Sequence, residues 1–173
     1  MEDEPAPTLL LKDVIKQLPA ETQEYVLKLH QRFIDSNFKC LANNDLFESM
    51  GYYFWYVHES KLNIRDNRWI LRVTPNACDI RLDAKHANKH ADIFEKFPKD
   101  ILGIIKNGKC GPKPTPVNCE RKKEFIFVID GVQYAKCADY CCGGNEFWIP
   151  LLNLTNERVQ AIEKWIEMEF SYK

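Results

Sequence analysis

Apolar positions in the first forty residues step by three or four, the spacing of an amphipathic helix. Thr8 is placed to cap a short helix carrying Leu11, Val14, Ile15 and Leu18 on one side, and Pro19 ends it. A longer helix is predicted from Ala20 to Leu41, with Val26, Leu29, Phe33, Asn37 and Cys40 along one stripe. Cys40 on that stripe reads as a buried free thiol. The period then changes to two. Tyr52 to His58, Arg68 to Val73 and Ala77 to Asp83 read as three strands joined by turns at Asp66-Asn67 and Thr74-Pro75-Asn76. In the third, Cys78, Ile80 and Leu82 share one face and Asp79, Arg81 and Asp83 the other, which reads as core against solvent.

Helical spacing returns from Ala91 to Lys106, interrupted at Pro98, which suits the first turn of a second helix. Asn107-Gly108 is a stop signal. Glu124 to Cys137 carries the clearest hairpin pattern, because both residues of Asp130-Gly131 tolerate the positive φ of a type I′ turn. Phe147 to Pro150 is a short edge-type strand. Thr155 caps a last helix with Val159, Ile162, Ile166 and Phe170 along one stripe and Trp165 beside it. Consecutive strands with short turns pair antiparallel. The expected fold is therefore α+β: a single domain over 1–173, with one antiparallel sheet of five or six strands and helices largely on one side.

Composition adds limits. At 45% hydrophobic and 28% charged the chain reads as globular, and a net charge of -1 gives no whole-molecule field for nucleic acid or an anionic membrane. No apolar run approaches the roughly 20 residues of a membrane helix. The start, Met1-Glu2-Asp3-Glu4-Pro5, lacks the basic-then-apolar order of a signal peptide, which places the chain in the cytoplasm as an expectation. Asn153-Leu154-Thr155 matches the glycosylation pattern by chance on that reading.

Candidate chemistry concentrates in one region. Cys110, Cys119, Cys137, Cys141 and Cys142 bracket a basic loop and the hairpin, defining a cysteine-rich lobe over 106–146. Four thiolates suit tetrahedral zinc, although the gaps are wider than the two-residue pairs of zinc ribbons. A structural zinc site and free thiols are the leading readings, ahead of a disulfide or redox pair from Cys137 and Cys141. Adjacent Cys141 and Cys142 differ in role, since neighbours seldom ligate one ion together. The loop from Lys106 to Lys123 holds six Lys/Arg against one Glu, but no interleaved aromatics suit base stacking, which disfavours nucleic acid. His86 and His90 stand four apart, with Ala87 where a metalloprotease helix needs Glu, and read as a solvated helix face. No phosphate-binding glycine loop or nucleophile elbow occurs, and no catalytic residue is named.

The chain is rich in rings, with 4 Trp, 7 Tyr and 10 Phe. In the first strand Tyr52, Phe54, Tyr56 and His58 share one face, and Tyr53, Trp55 and Val57 the other. Helices on one side cover only one set, so the second must meet another layer, a second copy of the chain or a ligand. The candidate binding residues are Tyr52, Phe54, Tyr56 and His58, joined by Trp69 and Arg72 of the next strand. The Asp130-Gly131-Val132-Gln133-Tyr134 hairpin, Cys137 and the Phe147–Pro150 strand before a helix resemble small bacterial proteins that combine a sheet, a cysteine-bearing loop and a closing helix. The whole-chain layout is similar to that of YdhG and frataxin-like proteins; the resemblance implies an α+β fold and no particular activity. The expected function is a ligand-binding or protein-interaction domain, its partner a small molecule, a protein or a second copy. A thiol enzyme using the 137–142 segment and a basic-loop nucleic-acid binder are the alternatives.

Overall fold

The computed structural model describes residues 7–43, 51–58, 69–82, 86, 89–107, 124–137 and 148–171. They form an α+β fold with a five-stranded sheet in the order β1-β2-β3-β4-β7 and a separate two-stranded sheet, β5-β6. The strands are β1 (Phe38–Asn43), β2 (Tyr52–His58), β3 (Trp69–Thr74), β4 (Ala77–Arg81), β5 (Glu124–Ile129), β6 (Val132–Cys137) and β7 (Trp148–Pro150). The chain divides into two compact units, one of residues 1–81 with 150–154, the other of residues 82–149 with 155–173. No helix among the described residues is long and apolar enough to cross a membrane.

In the first unit, α1 (Pro7–Val14) runs into a 3-10 turn over Ile15–Gln17, and α2 spans Ala20–Asp35. Leu11, Ile15 and Leu18 are buried, as their spacing predicts. Proline at the first position of α1 starts the helix without needing its absent N–H. Thr8 is therefore inside the helix rather than its cap, and its hydroxyl turns inward to His30.

The predicted helix from Ala20 to Leu41 is too long. Asn37 adopts a left-handed φ of 63°, and its N–H donates to the Ile34 carbonyl at 3.0 Å. Asparagine tolerates that conformation because its short polar side chain bonds locally. The chain leaves it as β1, a strand absent from the sequence reading, and Cys40 and Leu41 belong to it. Phe33, Asn37 and Cys40 continue the helical spacing only by coincidence.

The sheet is antiparallel from β1 to β4. Phe54, Tyr56, Trp69, Leu71, Val73, Cys78 and Ile80 lie on one face by register, and all are buried. Phe33 of α2 packs on it, stacked on Tyr56 at 4.4 Å between centroids, tilted on Trp69 at 5.3 Å and edge-on to Phe38 at 5.4 Å. Past β7, the Leu151 N–H donates to the Cys78 carbonyl and the Leu151 carbonyl accepts from Thr22 Oγ1, at 2.7 Å and 3.1 Å.

In the second unit, α3 (Ala91–Phe94) and α4 (Lys99–Asn107) flank Pro98, and α5 spans Asn156–Phe170. The Thr155 side chain accepts from the Arg158 N–H, as its capping pattern predicts. Phe94 packs edge-on to Phe97 and to Trp165, and Trp165, Ile162 and Ile166 are fully buried. Asp130 and Gly131 both have positive φ, 52° and 73°, as a type I′ hairpin requires.

Candidate functional site

Two features of the first unit carry chemistry. The first is a polar chain reaching into its core, with His30 and Tyr56 buried and Thr8 half-buried; the Cys40 thiol, expected to be buried, is also only half-buried. Thr8 Oγ1 lies 3.1 Å from His30 Nε2, and His30 Nδ1 lies 3.1 Å from the Tyr56 hydroxyl. Tyr56 stands opposite Cys40 in register, with the phenol and thiol interacting. One assignment satisfies both contacts: Thr8 donates to Nε2 and Nδ1–H donates to the Tyr56 oxygen. The chain joins α1, α2, β2 and β1. Burial pushes the Cys40 thiol up to about 12, with the Tyr56 bond working the other way, and burial likewise raises Tyr56. Burial pushes Cys78 up to about 12 too. Both thiols therefore stay protonated near neutrality, which makes them poor nucleophiles. The chain ties four elements of the first unit together through side chains.

Burial, aided by the Lys12 charge, lowers the His30 pKa below 6.5. As pH falls below that value the unfolded chain takes up a proton before the folded one does, so stability drops until the folded pKa is passed. His30→Gln is expected to be less stable than the parent at pH 7.5, with the gap closing steadily toward pH 5. Urea unfolding of both proteins across that range measures the difference, in which the other histidines cancel. A gap independent of pH would refute a neutral His30.

The second feature is the opposite face of the sheet. Register places Leu41, Trp55, Ile70 and Arg81 in one row, with Tyr53, Arg72 and Asp79 in the next. Tyr53 and Trp55, two apart on β2, stack at 5.8 Å with planes 24° apart, and both are half-buried. Arg72 Nη2 and Nε donate to Asp79 Oδ2 at 2.5 Å and 3.1 Å. Burial opposes the Arg72 charge, but Asp79 and the Tyr53 side chain outweigh it and raise its pKa. A guanidinium held by Asp79 opposite Tyr53 is pre-organised for contact. At the β1 side of this face, Leu41 is 39% exposed.

The six residues grouped from sequence do not form one surface. Phe54, Tyr56 and Trp69 are core, beneath α2, while Tyr52 and His58 are half-buried at the ends of the same face. Arg72 stands on the opposite face, because Tyr53, not Tyr52 or Phe54, is its partner in register. The polar face of β4 is not solvated either: Asp79 and Arg81 are buried, Asp79 through its pairing with Arg72. Alternation separated polar from apolar side chains but not wet from dry ones.

Cys110, Cys119, Cys141 and Cys142, and most of the basic loop, lie outside the described residues. Cys137 ends β6, with only its backbone described. Among the described residues no group of three His, Cys, Asp or Glu could hold a metal ion. Lys106, at the start of the basic loop, pairs with Asp130 at 3.0 Å. His86 is not on a solvated helix face. Its N–H and Nδ1 both meet the Glu169 carboxylate at 2.9 Å, and Glu169 is buried. Nothing in the sequence pairs these residues, because 83 positions separate them. Comparison with protein-family models, with curated proteins and with solved structures finds no match for this chain.

Proposed function

We propose that the chain is a non-enzymatic interaction module that meets a protein partner through the Tyr53–Trp55–Arg72 face of its sheet. The observation carrying this reading is the half-buried Tyr53–Trp55 stack beside an arginine held by Asp79. Tryptophan, tyrosine and arginine are the side chains that most often dominate binding energy at protein interfaces, because each offers a large, stiff contact area with a polar end. Leu41 is exposed and Tyr53, Trp55 and Arg72 are half-buried, whereas Ile70 in the same row as Leu41 and Trp55 is buried, so the contact surface is the β1–β2 side of this face together with Arg72. The protonated state of Cys40 and Cys78 adds no nucleophile to this region.

A photo-crosslinking side chain at Leu41 is expected to capture a defined partner from extract of the native cell. The same group at Leu9, exposed on α1, is expected to capture none. Trp55→Ala should abolish the Leu41 product while leaving the thermal midpoint within a few degrees. Equal products from both positions, or a Trp55→Ala protein that crosslinks undiminished, would sink this assignment. A product of twice the chain mass would identify the partner as a second copy.

A further inference from the structure

In the second unit, the α3–α4 connection and the first turns of α5 enclose a surface groove of about 460 Å³. Its floor is apolar, made by Ile93, Phe97, Pro98 and Ala161. Phe97 and Ala161 are buried, and Phe97 is fixed from behind, edge-on to Phe94 and tilted against Trp165. The two walls are tied together where Arg158 Nε of α5 donates to Asp100 Oδ2 of α4 at 2.9 Å. The groove is thus a shaped surface on rigid elements rather than a gap between loose ones.

Its rim is cationic. Lys96, Lys99 and Lys164 stand against Glu157, and all four are exposed. Elsewhere Lys16, Arg72, Lys106 and Arg158 each meet a carboxylate within 3.0 Å. Lys164 meets Glu167 only at 3.5 Å, with both side chains more than half exposed, and such a pair contributes little. Lys96 and Lys99 have no ion pair among the described residues. An apolar floor inside a net-positive rim, three lysines against Glu157, is complementary to an apolar group carried between negative charges.

We propose that this groove binds an acidic peptide segment of a partner protein. One apolar side chain would seat on the half-exposed Ile93 and Pro98, over the buried Phe97 and Ala161, and flanking carboxylates would meet Lys96, Lys99 and Lys164. The volume suits one large side chain with its neighbours. The exposed rim admits a chain that continues past the groove at both ends. Single-stranded nucleic acid is a poorer occupant, because the aromatic ring of the floor is buried and offers no face for a base.

A short fluorescein-labelled peptide with a central phenylalanine flanked by glutamates tests the proposal by fluorescence anisotropy. The parent protein is expected to bind it, more weakly as salt rises. Lys96→Ala combined with Lys164→Ala should weaken binding at least about tenfold, and serine in place of the phenylalanine should do the same. Trp55→Ala, on the other unit, should leave the affinity unchanged, which separates this site from the sheet face. Both lysines are exposed, so an unaltered thermal midpoint certifies the double variant. The proposal is overturned by no binding to the parent, by equal binding of the serine peptide, or by equal binding to the double variant. Tighter lysine-dependent binding to vesicles of anionic lipid than to the peptide would also overturn it, in favour of a membrane surface.

Discussion

Phe33→Ala is expected to destabilise the protein by about 3–5 kcal/mol, the usual cost of deleting a buried ring and leaving a cavity. Phe33 is fully buried and touches the rings of Tyr56, Trp69 and Phe38. It is one of the contacts through which α2 is fastened to the core face of the sheet, beside the His30–Tyr56 hydrogen bond. Alanine would remove the stack on Tyr56, which also anchors the hydrogen bond to His30 and the interaction with Cys40. The surrounding strands and helix can close the void only in part, because each is held by its own backbone bonds. Phe33→Leu keeps much of the volume and should cost under about 1.5 kcal/mol beyond the lost aromatic contacts. Leu41→Ala, at an exposed position, should fall within about 0.5 kcal/mol of the parent. Chemical denaturation with unchanged m-values measures all three. A Phe33→Ala cost below that of Phe33→Leu would contradict the packing.

Gly51→Ala should cost about 3 kcal/mol, although it adds only a methyl group. Gly51 enters β2 with a φ of +84°, where an L-residue is strained. A Cβ there would also collide with the Val73 carbonyl oxygen and lie 2.7 Å from Thr74 Cγ2. Val73 is a ladder residue of β3, so its carbonyl cannot withdraw without disturbing the β2–β3 pairing. Gly131 supplies the control. Its φ is +73°, but a Cβ there meets nothing within 4 Å, so Gly131→Ala carries only the conformational cost of about 1–2 kcal/mol. Equal costs at the two glycines in denaturation curves would show that the strand approach at Gly51 is not as close as described.

The limits of the sequence reading follow the same physics. The α2 helix was legible from its apolar spacing, but its end was not, because Asn37 and Cys40 extend that spacing into a strand. The Ser36-Asn37 pair held the available signal, since asparagine is a common left-handed stop. The two faces of β2 were legible from alternation. Which face the helices would cover was not, because alternation is symmetrical and the choice rests on packing between distant elements, such as Phe33 on Tyr56. Arg72 was grouped with the wrong rings for a related reason: a residue's face depends on cross-strand register. The groove in the second unit left no single motif, because its lysines come from a turn, a helix start and the third turn of α5.

Periodicity, turn chemistry and capping residues, acting within a few positions of one another, were enough to determine the α+β class, the Asp130-Gly131 hairpin, the Thr155 cap and the burial of Ile162, Trp165 and Ile166 on α5, though Val159 and Phe170 of the predicted stripe are only half-buried. These are local effects, and a linear sequence displays them directly. The tertiary structure alone decided which aromatic face became core, that Asp79 would pair with Arg72 inside the sheet, and that Glu169 would hold His86. It also decided that Thr8, His30, Tyr56 and Cys40 would meet. Each of these depends on packing between elements distant in the chain, where the need to cover apolar surface and pair buried polar groups selects one arrangement from many that the local pattern allows.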